Sequence, residues 1–312
     1  MRHMLTLLDF SRDEIHRILE LSGDLKAKTK SGERPPLMQG RVIGMLFEKP
    51  SLRTRVSFDA LIGQLGGTSL FLGEDVGWRT REPLRDFMPI LTGYLDVLVI
   101  RAKCHQDVAD AIKYSHCPII NGLTDVSHPC QALADMLTIR ENSSDLEQTK
   151  VAYLGDSNNV AYSLAVICSK LGVRLSIASP QEYQFEPQFV EQLNEQSGNK
   201  VIEQVADPLK AVEDAEFVYT DVWTSMGQEA ENEKRLKDLA DYQVTPEVMN
   251  AARSGAKLMH CLPARRGEEV AAEVIDSPSS IVIEQAENRL HAQKGLVVWL
   301  LNEAKRPAVV KT

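Results

Sequence analysis

The sequence predicts an α/β protein of two domains, each a parallel sheet flanked by helices, with an active-site cleft between them. Three observations carry that expectation. The chain has 312 residues, enough for two domains of about 150 residues each. Short β-rich runs recur along it, separated by helix-length stretches, which is the pattern of a parallel sheet covered on both faces. The polar clusters follow the ends of those runs, where open α/β sheets present their ligand-binding loops.

The elements follow in order. Ser11-Arg12-Asp13-Glu14 is a capping box, and Ile15, Ile18, Leu19 and Leu25 then recur at helical spacing, so an opening helix is expected to end near Gly32. The runs 41–47, 68–72, 96–101 and 118–121 predict four strands, and a helix over 128–141 closes a first domain, 1–141. Residues 142–148 are polar and turn-rich and mark the boundary. In a second domain, 149–286, the runs 151–155, 174–178, 201–204, 216–220, 257–261 and 281–284 predict six more strands. Residues 287–306 read as a long amphipathic helix that packs back on the first domain.

Composition narrows the function. With 43% hydrophobic and 25% charged residues the chain is ordinary globular material, and a net charge of -9 argues against nucleic acid as a partner. Any positive site must be local. The N-terminus lacks a long apolar core, and runs 95–100 and 296–301 are far too short to span a bilayer, so no membrane association and a cytoplasmic location are expected. Five cysteines form no CxxC pair, so reduced thiols are expected and no metal site is signalled.

Ser51-Leu52-Arg53-Thr54-Arg55 follows the first strand run and opens a helix. Free backbone N–H groups and the positive end of the helix dipole favour an anion there, and two hydroxyls and two guanidiniums add to this. The same residues would also make a plain helix start with Ser51 as N-cap. Arg101 with His105, and His128-Pro129-Cys130-Gln131, supply further donors that suit a small acyl phosphate. Taken singly, Arg101 would serve a surface ion pair, His128 a helix cap and Gln131 an exposed helical position.

Gly155-Asp156-Ser157-Asn158-Asn159-Val160 stands where a dinucleotide fingerprint would lie, but it lacks the second and third glycines. No nucleotide cofactor is expected, and the two asparagines suit an amino-acid carboxylate. Asp221, before Ser225-Met226-Gly227, offers a carboxylate for an ammonium group, or a helix cap. His260-Cys261-Leu262-Pro263 sets a thiol at a strand end. Beside a carboxylate such as Asp221 that thiol would stay protonated and act by hydrogen bonding.

Together the motifs resemble the aspartate/ornithine carbamoyltransferase family over residues 5–301: SxRTR at 51–55, HPxQ at 128–131, SMG at 225–227 and HCLP at 260–263, in family order. Asp221 with SMG and HCLP is similar to the members that use ornithine as acceptor. The resemblance implies transfer of the carbamoyl group from carbamoyl phosphate to the δ-amine of L-ornithine, giving L-citrulline and phosphate, with no cofactor and no metal. It implies that Ser51, Leu52, Arg53, Thr54, Arg101, His128, Gln131, Cys261, Leu262 and Arg289 bind carbamoyl phosphate, and that Asn159, Asp221, Ser225 and Met226 hold ornithine. Arg101, His128, Cys261 and Asp221 would carry the chemistry. A homotrimer is implied too, in which a neighbour's loop completes each site.

Five positions depart from the family pattern: Leu52 where many members have threonine, Gly77 where a glutamine often contacts carbamoyl phosphate, Phe87 and Met88 in place of Thr-Ala, and Arg265 in place of histidine. Two other readings stand beside this one: a carbamoyltransferase acting on another amine, and a relative that only binds carbamoyl phosphate.

Overall fold

The computed structural model describes residues 1–224 and 229–304. Strands and helices alternate: α1 Arg12–Lys30, β1 Val42–Phe47, α2 Leu52–Gln64, β2 Thr68–Leu72, α3 Leu84–Gly93, β3 Val97–Arg101, α4 His105–Ile112, β4 Ile119–Leu123 and α5 Pro129–Asn142. There follow β5 Lys150–Leu154, α6 Asn159–Leu171, β6 Arg174–Ala178, α7 Pro187–Ser197, β7 Ile202–Val205, α8 Pro208–Val212, β8 Phe217–Thr220, α9 Asn232–Asp238, α10 Pro246–Ala251, β9 Lys257–His260, α11 Ala272–Ile275 and α12 Val282–Ala304. Two compact units result, residues 1–137 with the chain from 288 onward, and residues 138–287. The divide falls inside α5, whose helical ladder continues past it to Asn142.

The first unit holds a four-stranded parallel sheet in the order β2-β1-β3-β4. Its inner strands β1 and β3 are almost wholly buried, as expected of strands covered on both faces. The expected run 68–72 forms β2, but as an exposed edge strand with Leu70 and Phe71 45% and 40% exposed. The capping box at Ser11 and Glu14 starts α1 as the sequence predicts. Helix α12 lies against α1 at Gly295, where an added Cβ would come within 2.6 Å of the Ile18 carbonyl oxygen. Buried between the same helices, Lys26 Nζ donates to Asn288 Oδ1 at 2.7 Å.

The second unit holds a five-stranded parallel sheet, β7-β6-β5-β8-β9. Its core packs Leu154, Val218, Trp223, Leu258, Val270 and Val274. The sixth expected strand, 281–284, is not one. Leu258 makes a single parallel bridge to Ser280, and α12 begins at Val282, five residues earlier than the expected 287. The run Ile281-Val282-Ile283 looks β-like because it is β-branched. It is too short to settle the matter, and Ile283 points outward, 74% exposed. Residues 305 and 306 of the expected helix lie outside the described residues.

Candidate active site

In the first unit the anion loop is built by β1 running into α2. Ser51 is the N-cap, its hydroxyl accepting from the Thr54 N–H at 3.3 Å. The helix cap and the anion site are therefore compatible, since the cap uses one first-turn donor and an anion needs the others. Leu52 is 76% exposed, so its side chain points to solvent and only its backbone faces the helix start. The two guanidiniums of the loop part company, because residues two apart on a helix do not share a face. Arg53 couples electrostatically to Arg101 and His128. Arg55 lies over the Phe71 ring at 3.8 Å and pairs with Asp59.

Arg101 ends β3 and is only 6% exposed, which removes the surface ion-pair alternative. Burial first, then Arg289 and Arg53, lower its guanidinium to about 10. Its Nε is buried with no hydrogen-bond partner. His128 stands directly before α5, and burial followed by the charges of Arg289, Arg101 and Arg53 holds its imidazole well below the usual histidine range. It is neutral. Arg289, on α12, donates from Nη2 to Thr54 Oγ1 and from Nη1 to Gln131 Oε1, both at 2.8 Å, with Nη1 3.5 Å from His128 Nε2. Gln131 is 1% exposed, not an exposed helical residue, and its Nε2 donates to Asp135 at 2.8 Å. The amide donor is thus used within the protein, and the end of Gln131 turned toward Arg289 is the acceptor. His105 is tied to Thr124 and Asp125.

Three guanidiniums around a neutral histidine make a positive cluster in a chain of net charge -9. Such an arrangement suits a phosphate dianion, which would relieve the mutual repulsion.

The second unit gathers its polar groups at the ends of β5, β8 and β9. Asp221, 6% exposed, accepts from Asn158 Nδ2 at 2.9 Å, from Cys261 Sγ at 2.9 Å and from the Val222 N–H at 2.8 Å. The Cys261 thiol thus donates to a carboxylate oxygen. Asn158 also caps α6, its Oδ1 accepting from the N–H groups of Val160 and Ala161. Asn159, the asparagine singled out in the sequence, is the half-buried first residue of that helix, and Asn158 is the one that meets Asp221. Gly155 has φ +127 and packs where a Cβ would sit 3.4 Å from Trp223. Asp156 pairs with Arg235 at 2.7 Å, and burial raises its carboxyl despite that partner. Arg235 also donates to the Trp223 carbonyl at 3.0 Å, pinning the chain that leads to residue 225. Ser225 and Met226 lie outside the described residues.

His260 shapes the loop that carries Cys261 and Leu262. Its Nδ1 accepts from the Leu262 N–H at 2.8 Å, so Nε2 carries the proton and donates to Glu269 at 3.0 Å. Asp221, His260 and Cys261 offer ligand atoms within 4.8 Å of one another. With both ring nitrogens and the thiol proton engaged, they form a hydrogen-bonded set rather than an open metal cage. Of the unusual residues, Arg265 lies 3.3 Å from Glu268, which offsets its charge. Phe87 and Met88 join Trp78 in an apolar cluster. Gly77 has φ +73, a conformation other side chains rarely adopt.

Comparison with known proteins matches both units. Residues 2–141 match the aspartate/ornithine carbamoyltransferase carbamoyl-P binding domain, and 147–300 the Asp/Orn binding domain of the same family. An ornithine carbamoyltransferase from Wolinella succinogenes is 47% identical over 304 residues, covering 96% of this chain and 98% of that protein. The anabolic ornithine carbamoyltransferase of Pyrococcus furiosus is 45% identical over 308 residues, 97% of this chain and 98% of its own. The structure of ornithine carbamoyltransferase from P. furiosus superposes with a TM-score of 0.92 at 44% identity, covering 96% of this chain and 97% of that one. That of the anabolic enzyme from Campylobacter jejuni gives 0.91 at 36%, covering 97% and 100%.

Proposed function

The chain belongs to the aspartate/ornithine carbamoyltransferase family, and we propose that it transfers the carbamoyl group of carbamoyl phosphate to the δ-amine of L-ornithine, forming citrulline and phosphate. The observation that carries this reading is the gathering of Arg53, Arg101 and Arg289 around neutral His128 in the unit that matches the carbamoyl-P binding domain.

The δ-nitrogen lone pair attacks the carbonyl carbon, the carbonyl oxygen gains charge, the bond to the phosphate oxygen breaks, and the amine proton passes to the departing phosphate. Arg53 and Arg289 hold that phosphate, with the first-turn N–H groups after Ser51, including that of Leu52. Arg101, the N–H of His128 and the Thr54 hydroxyl stabilise the oxyanion; Thr54 accepts from Arg289 and so has its own proton to give. Loss of one such donor costs about 2.7 to 4 kcal/mol of transition-state stabilisation. Gln131 Oε1 accepts from the carbamoyl NH2, joined by Cys261 and Leu262. Asp221 and Cys261 orient ornithine, with Asn159, Ser225 and Met226 as further contacts. Asp221 offers a partner to an α-ammonium, which putrescine lacks and acetylation removes.

A homotrimer fits the exposed edge. Leu70 and Phe71 on β2, with Leu52 and Val56 one turn apart on α2, leave apolar surface that a second copy of the chain would cover. No helix among the described residues is long and apolar enough to cross a membrane, and a cytoplasmic location is our reading. A colorimetric citrulline assay with purified protein, run with ornithine, putrescine, N-acetylornithine and aspartate, tests the proposal. Product with ornithine alone is expected, and preference for another amine would refute it.

A further inference from the structure

We propose that Asp135 is a positioning residue for carbamoyl phosphate, setting the direction of the Gln131 amide and, through it, the guanidinium of Arg289. The proposal rests on the assignment of Gln131 and Arg289 to the carbamoyl phosphate site.

Asp135 follows Gln131 by one turn of α5, so the two side chains share a helix face. They are 0% and 1% exposed. Gln131 Nε2 donates to Asp135 Oδ1 at 2.8 Å, while Gln131 Oε1 accepts from Arg289 Nη1 at 2.8 Å, and Arg289 Nη2 continues to Thr54. A glutamine amide donates at one end and accepts at the other, and a half-turn exchanges the two. Here both ends are dictated. The Asp135 oxygen accepts from the amide NH2, and a guanidinium can only donate. A turned amide would set NH2 against Arg289 and oxygen against Asp135, two failed pairings where water cannot repair them.

The consequence reaches the substrate. The carbamoyl NH2 needs an acceptor, and the amide oxygen held toward Arg289 has a second lone pair to offer. Packing alone does not explain the carboxylate, because Asp135 is fully buried and a buried aspartate is costly unless hydrogen-bonded.

A double-mutant cycle on the full-length chain tests this, with Asp135→Asn, Gln131→Ala and both together, varying carbamoyl phosphate at saturating ornithine. The side-chain amide introduced by Asp135→Asn can present NH2 as well as oxygen, so the direction of the Gln131 amide is no longer fixed from that side and rests on Arg289 alone. Asp135→Asn is expected to raise the KM for carbamoyl phosphate about tenfold, with the ornithine KM and the Tm little changed. The double variant is expected to be no worse than Gln131→Ala alone. Additive effects would overturn the proposal, as would equal losses toward both substrates with a lowered Tm. Asp135→Glu keeps an acceptor and should recover part of the KM that Asp135→Asn loses; equal KM values for the two would also overturn it. Should Gln131→Ala leave the KM unchanged, the site assignment itself fails, and the relay with it.

Discussion

In the first unit, guanidiniums of one sign crowd around an imidazole that stays neutral, and Arg101 is lowered to about 10 by burial and by the charges beside it. In the second, Asp221 already accepts from Asn158, Cys261 and Val222, so its polar groups satisfy one another. The first cluster holds like charges together ahead of its ligand, and a dianion relieves that repulsion. An amino acid bound at the second, as proposed, would have to replace existing hydrogen bonds with new ones. Affinity should therefore be concentrated in the first site and selectivity in the second.

The largest expected effect breaks the first side of this contrast. Arg101→Ala should lower kcat/KM for citrulline formation by about 100- to 1,000-fold while circular dichroism stays unchanged. A variant that keeps near-normal turnover would show that the guanidinium cluster is not catalytic. A smaller effect probes the other side. Cys261→Ser should lower kcat/KM for ornithine by about tenfold and leave the carbamoyl phosphate KM nearly unchanged, because it perturbs one hydrogen bond to Asp221. If ornithine kinetics do not move, the thiol serves packing only.

A third effect is on stability and has a definite sign. His128 is held below its ordinary value of about 6.5 when folded. Below that pH the unfolded chain binds the extra proton, so stability is retained above about 6.5 and lost as pH falls further. Against His128→Gln, the wild-type Tm should therefore decline relative to the variant between about pH 7.5 and pH 5. A constant gap would mean that the imidazole is not buried among the arginines. The smallest expected effect is that of Leu52→Thr. The Leu52 side chain points outward from the chain and only its backbone faces the helix start, so the carbamoyl phosphate KM should move less than about twofold.

The strand–cap–helix layout of the 51–55 loop was legible because its signal is local: a strand, a capping serine and a helix start are all written within a few residues. The HPxQ and HCLP clusters were legible for the same reason. What the sequence hid is angular or long-range. Arg55 looked equivalent to Arg53 until the helix turned it onto Phe71. Asn158 and Asn159 are adjacent, and only the backbone turn into α6 decides that Asn158 meets Asp221. Asp135 lies outside every motif and gains its role from Gln131 one turn earlier. Run 281–284 was misread because three β-branched residues in a row cannot distinguish a strand from the first turn of a helix.

The contrast between the two clusters turns on Arg53, which joins the arginine cluster by its charge and the helix start by its backbone. Calorimetric titration of carbamoyl phosphate into the protein without ornithine, for wild type and Arg53→Ala, tests it most directly. Wild type is expected to bind, and Arg53→Ala to lose at least about a hundredfold in affinity with its fold intact. Equal affinity in the two proteins would contradict the account.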